Sequence, residues 1–305
     1  MFNSMWQDVK SEFRIGNMIT RLIIVNVVVF IIVNLVRLGI TISTGFQQYL
    51  PGEETPFDKF ISWLALSSDL IENLFRPWVL ISYMFLHIDF IHILFNMLFL
   101  YWFGKIVGDL IGDKKILPIY ILGGLAGAAM YLIFSQFVPM GGMCLGASAG
   151  VMAIVLAAGF LAPDYILRLL FLGEVKLKYI VMVLLFLDVI GIGSMSNTGG
   201  HLTHLGGAAM GWFFIYSLRN GRDIGAPINR LVDSIRDYFS KGKMTVAYKN
   251  PSKKAIFKNQ KPGQDSIEPS SHQEHLDAIL DKIKRSGYES LSKEEKEFLF
   301  KASKK

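Results

Sequence analysis

Ser148 and His204 are the residues of this chain best suited to covalent chemistry, and each stands where an apolar run begins. Ser148 lies in Gly146-Ala147-Ser148-Ala149-Gly150, and His204 lies in His204-Leu205-Gly206-Gly207. A third run carries His87, His92 and Asn96. Polar side chains inside a bilayer are costly, so they point to function. A serine hydroxyl is a poor nucleophile until an adjacent imidazole takes its proton, and the two together are the minimum set for nucleophilic hydrolysis. Attack on a peptide carbonyl makes an oxyanion, which needs preorganised donors. The backbone N–H of Ser148 at a helix start is one candidate donor. His92 and Asn96 are others, because residues four apart share a helix face.

Each residue also has an ordinary reading. A serine among alanines and glycines is often a packing residue, and a histidine at the end of a span is often interfacial. His87, Asp89 and His92, with His204, can be written as a metal set, but no HExxH spacing or cysteine pair supports it, so neither metal nor cofactor is expected. Asp188 stands at similar depth and reads as a gate or helix-packing residue rather than as a third member of a triad. Cys144 is the one cysteine, which excludes an intrachain disulfide; with nothing near it to favour a thiolate, it reads as a small packing residue rather than a nucleophile. Packing alone does not predict three polar sets at matched depth, and the joint pattern carries the argument.

The elements that must hold these residues are membrane spans. The chain has 305 residues, 52% of them hydrophobic. Six apolar runs, at about 18–40, 85–104, 116–137, 147–163, 177–195 and 201–218, can each cross roughly 30 Å of hydrocarbon as a helix, the fourth and sixth near the lower limit. Segment 1–17 is polar and amphipathic with no small-residue cleavage site after the first run, so that run reads as a permanent span. Lysines and arginines flank the start of span one, lie between spans two and three and between spans four and five, and are rich after span six; the other loops are nearly free of them. Both termini are therefore expected on the cytosolic side, with Ser148 and His204 at the same depth near the opposite face. The loop at 41–78 is net acidic and holds an aromatic stretch with Trp63 and Trp78, which predicts an element lying in the outer leaflet.

Spans four and six are crowded with small residues, and Gly207-x-x-x-Gly211 is a pattern that lets helix backbones approach closely. At 3.6 residues per turn His204 shares a stripe with Gly207 and Gly211, whereas His201 lies roughly 60° further round. His204 is therefore the expected base and His201 the fallback. After span six, residues 219–270 read as a basic linker beside anionic lipid rather than as a nucleic-acid site, and 271–305 as a small helical hairpin with capping boxes at Ser271–Glu274 and Ser292–Glu295.

Pro77-Trp78, Tyr83-Met84-Phe85-Leu86-His87, His92-Ile93-Leu94-Phe95-Asn96, Gly146-Ala147-Ser148 and His204-Leu205-Gly206-Gly207 together resemble the rhomboid family of intramembrane serine proteases, over about Arg76 to Gly211. The resemblance implies an all-α membrane protein, a six-helix transmembrane bundle with a membrane-interfacial first loop, over 18–218. It implies a Ser148–His204 dyad without a carboxylate, an oxyanion hole of the Ser148 N–H, His92 and Asn96, and a lateral gate near span five and the first loop. Substrates would be transmembrane helices of other proteins; the lipid bilayer is the other partner, and the bacterial inner membrane the expected location. One departure from the family pattern is Ala149, where glycine is common; its methyl group either narrows the oxyanion site or simply packs. The alternative function is a silent relative that binds and escorts membrane proteins, and the presence of both Ser148 and His204 argues against it.

Overall fold

The computed structural model describes residues 13, 16–50, 53–138, 142–169, 173–193, 197–240 and 270–302. The chain divides into two compact units, Met1–Gly242 and Lys243–Lys305. All but a few residues of the expected amphipathic segment 1–17 lie outside the described residues.

The first unit is a helical bundle. Its principal helices are α1 (Met18–Ser43), α5 (Phe90–Ile111), α6 (Ile116–Ser135), α7 (Ser148–Leu161), α8 (Leu177–Gly193) and α9 (Thr198–Arg219), one on each expected span. Local chemistry sets their ends. The Asn17 side chain accepts from the Thr20 N–H at 2.9 Å and caps α1. Gly112, at φ 91°, ends α5. The second span starts five residues later than expected, because Tyr83–Phe85 turns as a 3-10 helix and Asp89, in an extended conformation, caps α5.

Helix α1, helix α5 and the segment Asp113–Ser135 are long and apolar enough to cross a membrane. Helix α7, at 14 residues, is shorter, about 21 Å. It is apolar all round, and ten of its residues from Ala149 to Gly159 are buried among the other helices. A helix of this length is shorter than the roughly 30 Å hydrocarbon slab, so at least one of its ends lies beneath the surface of the slab.

Glycines bring α6, α7 and α9 together. A Cβ at Gly207 or Gly211 would collide with the backbone carbonyl of Ala149 or Ala153 respectively, and one at Gly127 would lie 2.6 Å from the Ala149 methyl. The small-residue pattern of the sixth span thus meets the fourth span, as its spacing predicts.

One end of the bundle is tied by the α1 start, the α5–α6 turn and the end of α9. The Met18 N–H donates to Asp113 Oδ1 at 2.8 Å, Lys115 pairs with Asp223, and Arg219 donates to the Phe160 carbonyl at 2.7 Å. Ser148 and the start of α9 lie at the other end, opposite these basic residues.

The first loop forms α2 (Pro56–Ser62), α3 (Leu70–Phe75) and α4 (Val79–Ser82). Trp63 and Trp78 stack at 6.5 Å, the Trp78 indole N–H donates to the Trp63 carbonyl, and Arg76 lies over the Trp63 ring. Ile71, Leu74 and Phe75 are exposed, as suits a segment facing lipid. Two small antiparallel sheets supplement the expected all-α fold. In the first, β1 (Leu66–Ser67) pairs with β2 (Met143–Cys144); in the second, β3 (Ile166–Leu169) pairs with β4 (Gly173–Lys176). Strands this short leave no pattern in a sequence, yet the first sheet joins the loop to the segment leading into Ser148.

A helix, α10 (Ala226–Ser240), occupies the first part of the stretch expected as linker; its Leu231, Ile235, Tyr238 and Phe239 are exposed. Residues 241–269 lie outside the described residues. In the second unit α11 (Ser270–Ser286) ends at Gly287, which has φ 78°, and α12 (Lys293–Ala302) follows. The expected box at Ser292–Glu295 is formed: Glu295 accepts from the Ser292 N–H at 2.7 Å, and the Ser292 hydroxyl accepts from the Glu295 N–H at 3.2 Å. The side chains of the box expected at Ser271–Glu274 lie outside the described residues.

Candidate active site

A cleft of about 620 Å³ opens between α5, α7, α8 and α9. Ser148, His204, His92 and Asn96 all line it, together with Gly146 and Asp188. Four residues drawn from three helices are therefore brought to one cavity.

Ser148 is the first residue of α7. A helix's first amides have no intrahelical acceptor, and the Ser148 N–H is among these. The segment before it is held on two sides. The Gly146 N–H donates to the Tyr83 carbonyl at 2.9 Å, and the Ala147 N–H to His87 Nε2 at 3.4 Å. Gly146 has φ +134°, and a Cβ there would stand 2.8 Å from His92 Cε1 and 3.7 Å from Ser148 Oγ. Glycine is needed at this position both for the backbone turn and for the His92 ring that lies over it. Tyr83, which also donates from its hydroxyl to the Gly124 carbonyl at 2.6 Å, went unnoticed in the sequence because an aromatic beside a span carries no sign of such a role.

His87 is fully buried. Its Nε2 accepts from Ala147 and faces Asn96 Nδ2 at 3.3 Å, so its proton is on Nδ1. Its place is under the serine loop and not in the cleft lining. The Asn96 amide also donates to the His92 carbonyl at 3.0 Å. Both N–H bonds of Asn96 are thereby engaged, while the His92 ring stands beside the serine.

His204 and His201 both direct Nδ1 at one oxygen of Asp188, at 2.8 and 2.9 Å. An ionised carboxylate only accepts, so each Nδ1 carries a proton, and in the neutral imidazole Nε2 keeps its lone pair. The two imidazoles differ in place. His204 lines the cleft, whereas the His201 ring lies against α8, where a Cβ on Gly191 would collide with it. Asp188, His201 and His204 each bring one ligand atom within 4.8 Å of the others; His87, Asp89 and His92 form no such group among the described residues. Cys144 is buried beside β1. The Ala149 methyl packs toward Gly127 and is absent from the cleft lining, so of the two readings of that departure, packing is the one the geometry favours.

Residues 74–221 match the Rhomboid domain family, and residues 267–305 match a family of unknown function. RHOMBOID-like protein 12, mitochondrial, of Arabidopsis thaliana is 30% identical over 187 residues, 53% of this chain and 56% of the relative. Presenilin-associated rhomboid-like protein A, mitochondrial, of Danio rerio is 29% identical over 141 residues, 46% of this chain and 36% of the relative. Rhomboid protease GluP of Bacillus subtilis (strain 168) is 27% identical over 177 residues, 58% of this chain and 32% of the relative. The chain thus spans between about a third and a little over half of these relatives' lengths. Two of the three carry "mitochondrial" in their names, so the expectation of a bacterial inner membrane gains no support from them. The apolar helices and the matched domain make this an integral membrane protein. Residues 74–221, which hold Ser148, His204, His92 and Asn96, are a rhomboid domain.

Proposed function

We propose that this protein is an intramembrane serine endopeptidase that cuts peptide bonds in or near transmembrane helices of other membrane proteins. The observation that carries the reading is the common cleft: Ser148, the first residue of a buried helix, faces the same cavity as an imidazole whose tautomer leaves Nε2 basic. Kinship with a relative named as a protease supports it.

The chemistry runs through these groups. As Ser148 Oγ bonds to the substrate carbonyl carbon, its proton passes to His204 Nε2 and the carbonyl electrons become an oxyanion. The Ser148 N–H and the His92 ring stabilise that charge, joined by Asn96 when it gives up its longer contact to His87. His204 then gives the proton to the departing amine as the C–N bond breaks, and water hydrolyses the acyl-enzyme by the same route in reverse. A helical carbonyl is shielded by its own hydrogen bond, so the substrate must unwind locally at the cleft, which favours sites with small or helix-breaking residues near the end of a span.

The test is cleavage of a defined transmembrane substrate by purified protein in liposomes, wild type beside Ser148→Ala. Cleavage by wild type alone is expected. Equal cleavage by both would refute Ser148 as nucleophile, and substrate binding without cleavage across several substrates would favour the escort reading.

A further inference from the structure

We propose that Asp188 is a positioning residue for His204, so that the hydrolytic set is Ser148–His204–Asp188 with His201 as a second grip on the same carboxylate. This rests on the protease reading above, and it departs from the carboxylate-free dyad expected from the resemblance. Asp188 is 6% exposed, in the middle of an apolar helix. A buried carboxylate without partners would be costly, and this one has two: His204 Nδ1 at 2.8 Å and His201 Nδ1 at 2.9 Å, both from the neighbouring helix α9. Nothing basic competes for it on its own or the facing helix. From Tyr179 to Leu218 the sequence holds no lysine or arginine and no other acid, and α7 carries no charge.

The arrangement has the logic of an oriented base. A carboxylate that accepts from Nδ1–H selects the tautomer with a lone pair on Nε2 and fixes the ring's rotation. When Nε2 takes the Ser148 proton, the imidazolium is formed 2.8 Å from a negative oxygen and is stabilised there. The carboxylate itself gains no proton. His201 cannot replace His204, because its ring is held against Gly191 on α8 and does not line the cleft. Its contribution is to hold Asp188 from the other side.

The experiment compares wild type with Asp188→Asn, Asp188→Glu and His201→Ala in liposomes, reading kcat and KM on a defined transmembrane substrate and the melting temperature of each protein. Asparagine is nearly isosteric and keeps the packing. It should lower kcat at least about tenfold with KM and melting temperature unchanged. Asp188→Glu, which keeps the charge, should retain more kcat than Asp188→Asn, and His201→Ala should lose only about threefold. An unchanged kcat in Asp188→Asn would overturn the proposal. So would a fall in kcat that tracks a fall in melting temperature, since that is what a packing role gives. Loss of wild-type activity on adding a chelator would mean that the three side chains hold a metal, and would overturn it too. A separate reading comes from ¹⁵N NMR of the His204 imidazole: Nδ1–H in wild type, lost in Asp188→Asn. If wild type neither cuts nor takes a fluorophosphonate on Ser148, the protease reading fails by itself, and the imidazole signals still decide whether Asp188 holds His204; identical signals in both proteins would refute it.

Discussion

His92 and Asn96 share a helix face and line one cleft, but their hydrogen bonds set them apart. The Asn96 amide is occupied by the His92 carbonyl and by His87, so an oxyanion must compete for it. The His92 ring stands over Gly146 beside Ser148 Oγ. We predict that His92→Ala lowers kcat by about 100-fold, the usual loss for a missing oxyanion donor, and that Asn96→Ala lowers it by about tenfold. Steady-state cleavage in liposomes measures both, and a larger loss for Asn96→Ala would refute the ranking. His87 belongs to a different class of residue. Its ring holds Ala147 from below, so its polarity keeps the serine loop in place without reaching the substrate.

At the scale of elements, the spacing between α7 and α9 determines whether a serine on one and a histidine on the other can face the same bond. Gly207 and Gly211 set that spacing, each seated against a backbone carbonyl of α7. A carbonyl cannot swing aside as a side chain can, so Gly207→Ala must push the helices apart. Overpacking of this kind costs about 1–3 kcal/mol. A lowered melting temperature in detergent and a sharp fall in labelling of Ser148 by a fluorophosphonate are the expected outcomes. Wild-type labelling in that variant would show that the close contact does not set the site. The short β1–β2 pair works on the same scale, since it ties the first loop to the segment that leads into Ser148.

On the scale of the whole molecule, every residue that lines the cleft belongs to the first unit, Met1–Gly242. The matched rhomboid domain ends at 221, and the second unit carries a separate match at 267–305. A chain ending at Gly242 is therefore expected to fold and to cleave within about twofold of the full chain, because units with their own contacts are separable. Cleavage in liposomes by the shortened protein checks this. A folded but inactive product would mean that the second unit takes part in catalysis.

The amino-acid sequence by itself determined the architecture and most of the cleft. Long apolar runs must become helices in a bilayer, where backbone groups have no other partners, so six helices were legible with their ends up to seven residues off. Serine, histidine and glycine spacing pointed to Ser148, His204, His92 and Asn96, because helical periodicity converts spacing into a shared face. Tertiary structure decided the rest. Which partner Asp188 takes depends on how α8 packs on α9, and no periodicity within one helix encodes that. The pinning of Ala147 by His87, the two-residue sheet and the seat of the Ala149 methyl against Gly127 likewise arise from contacts between segments distant in the chain. Local pattern specifies faces, and only the packing of one face on another specifies which atoms meet.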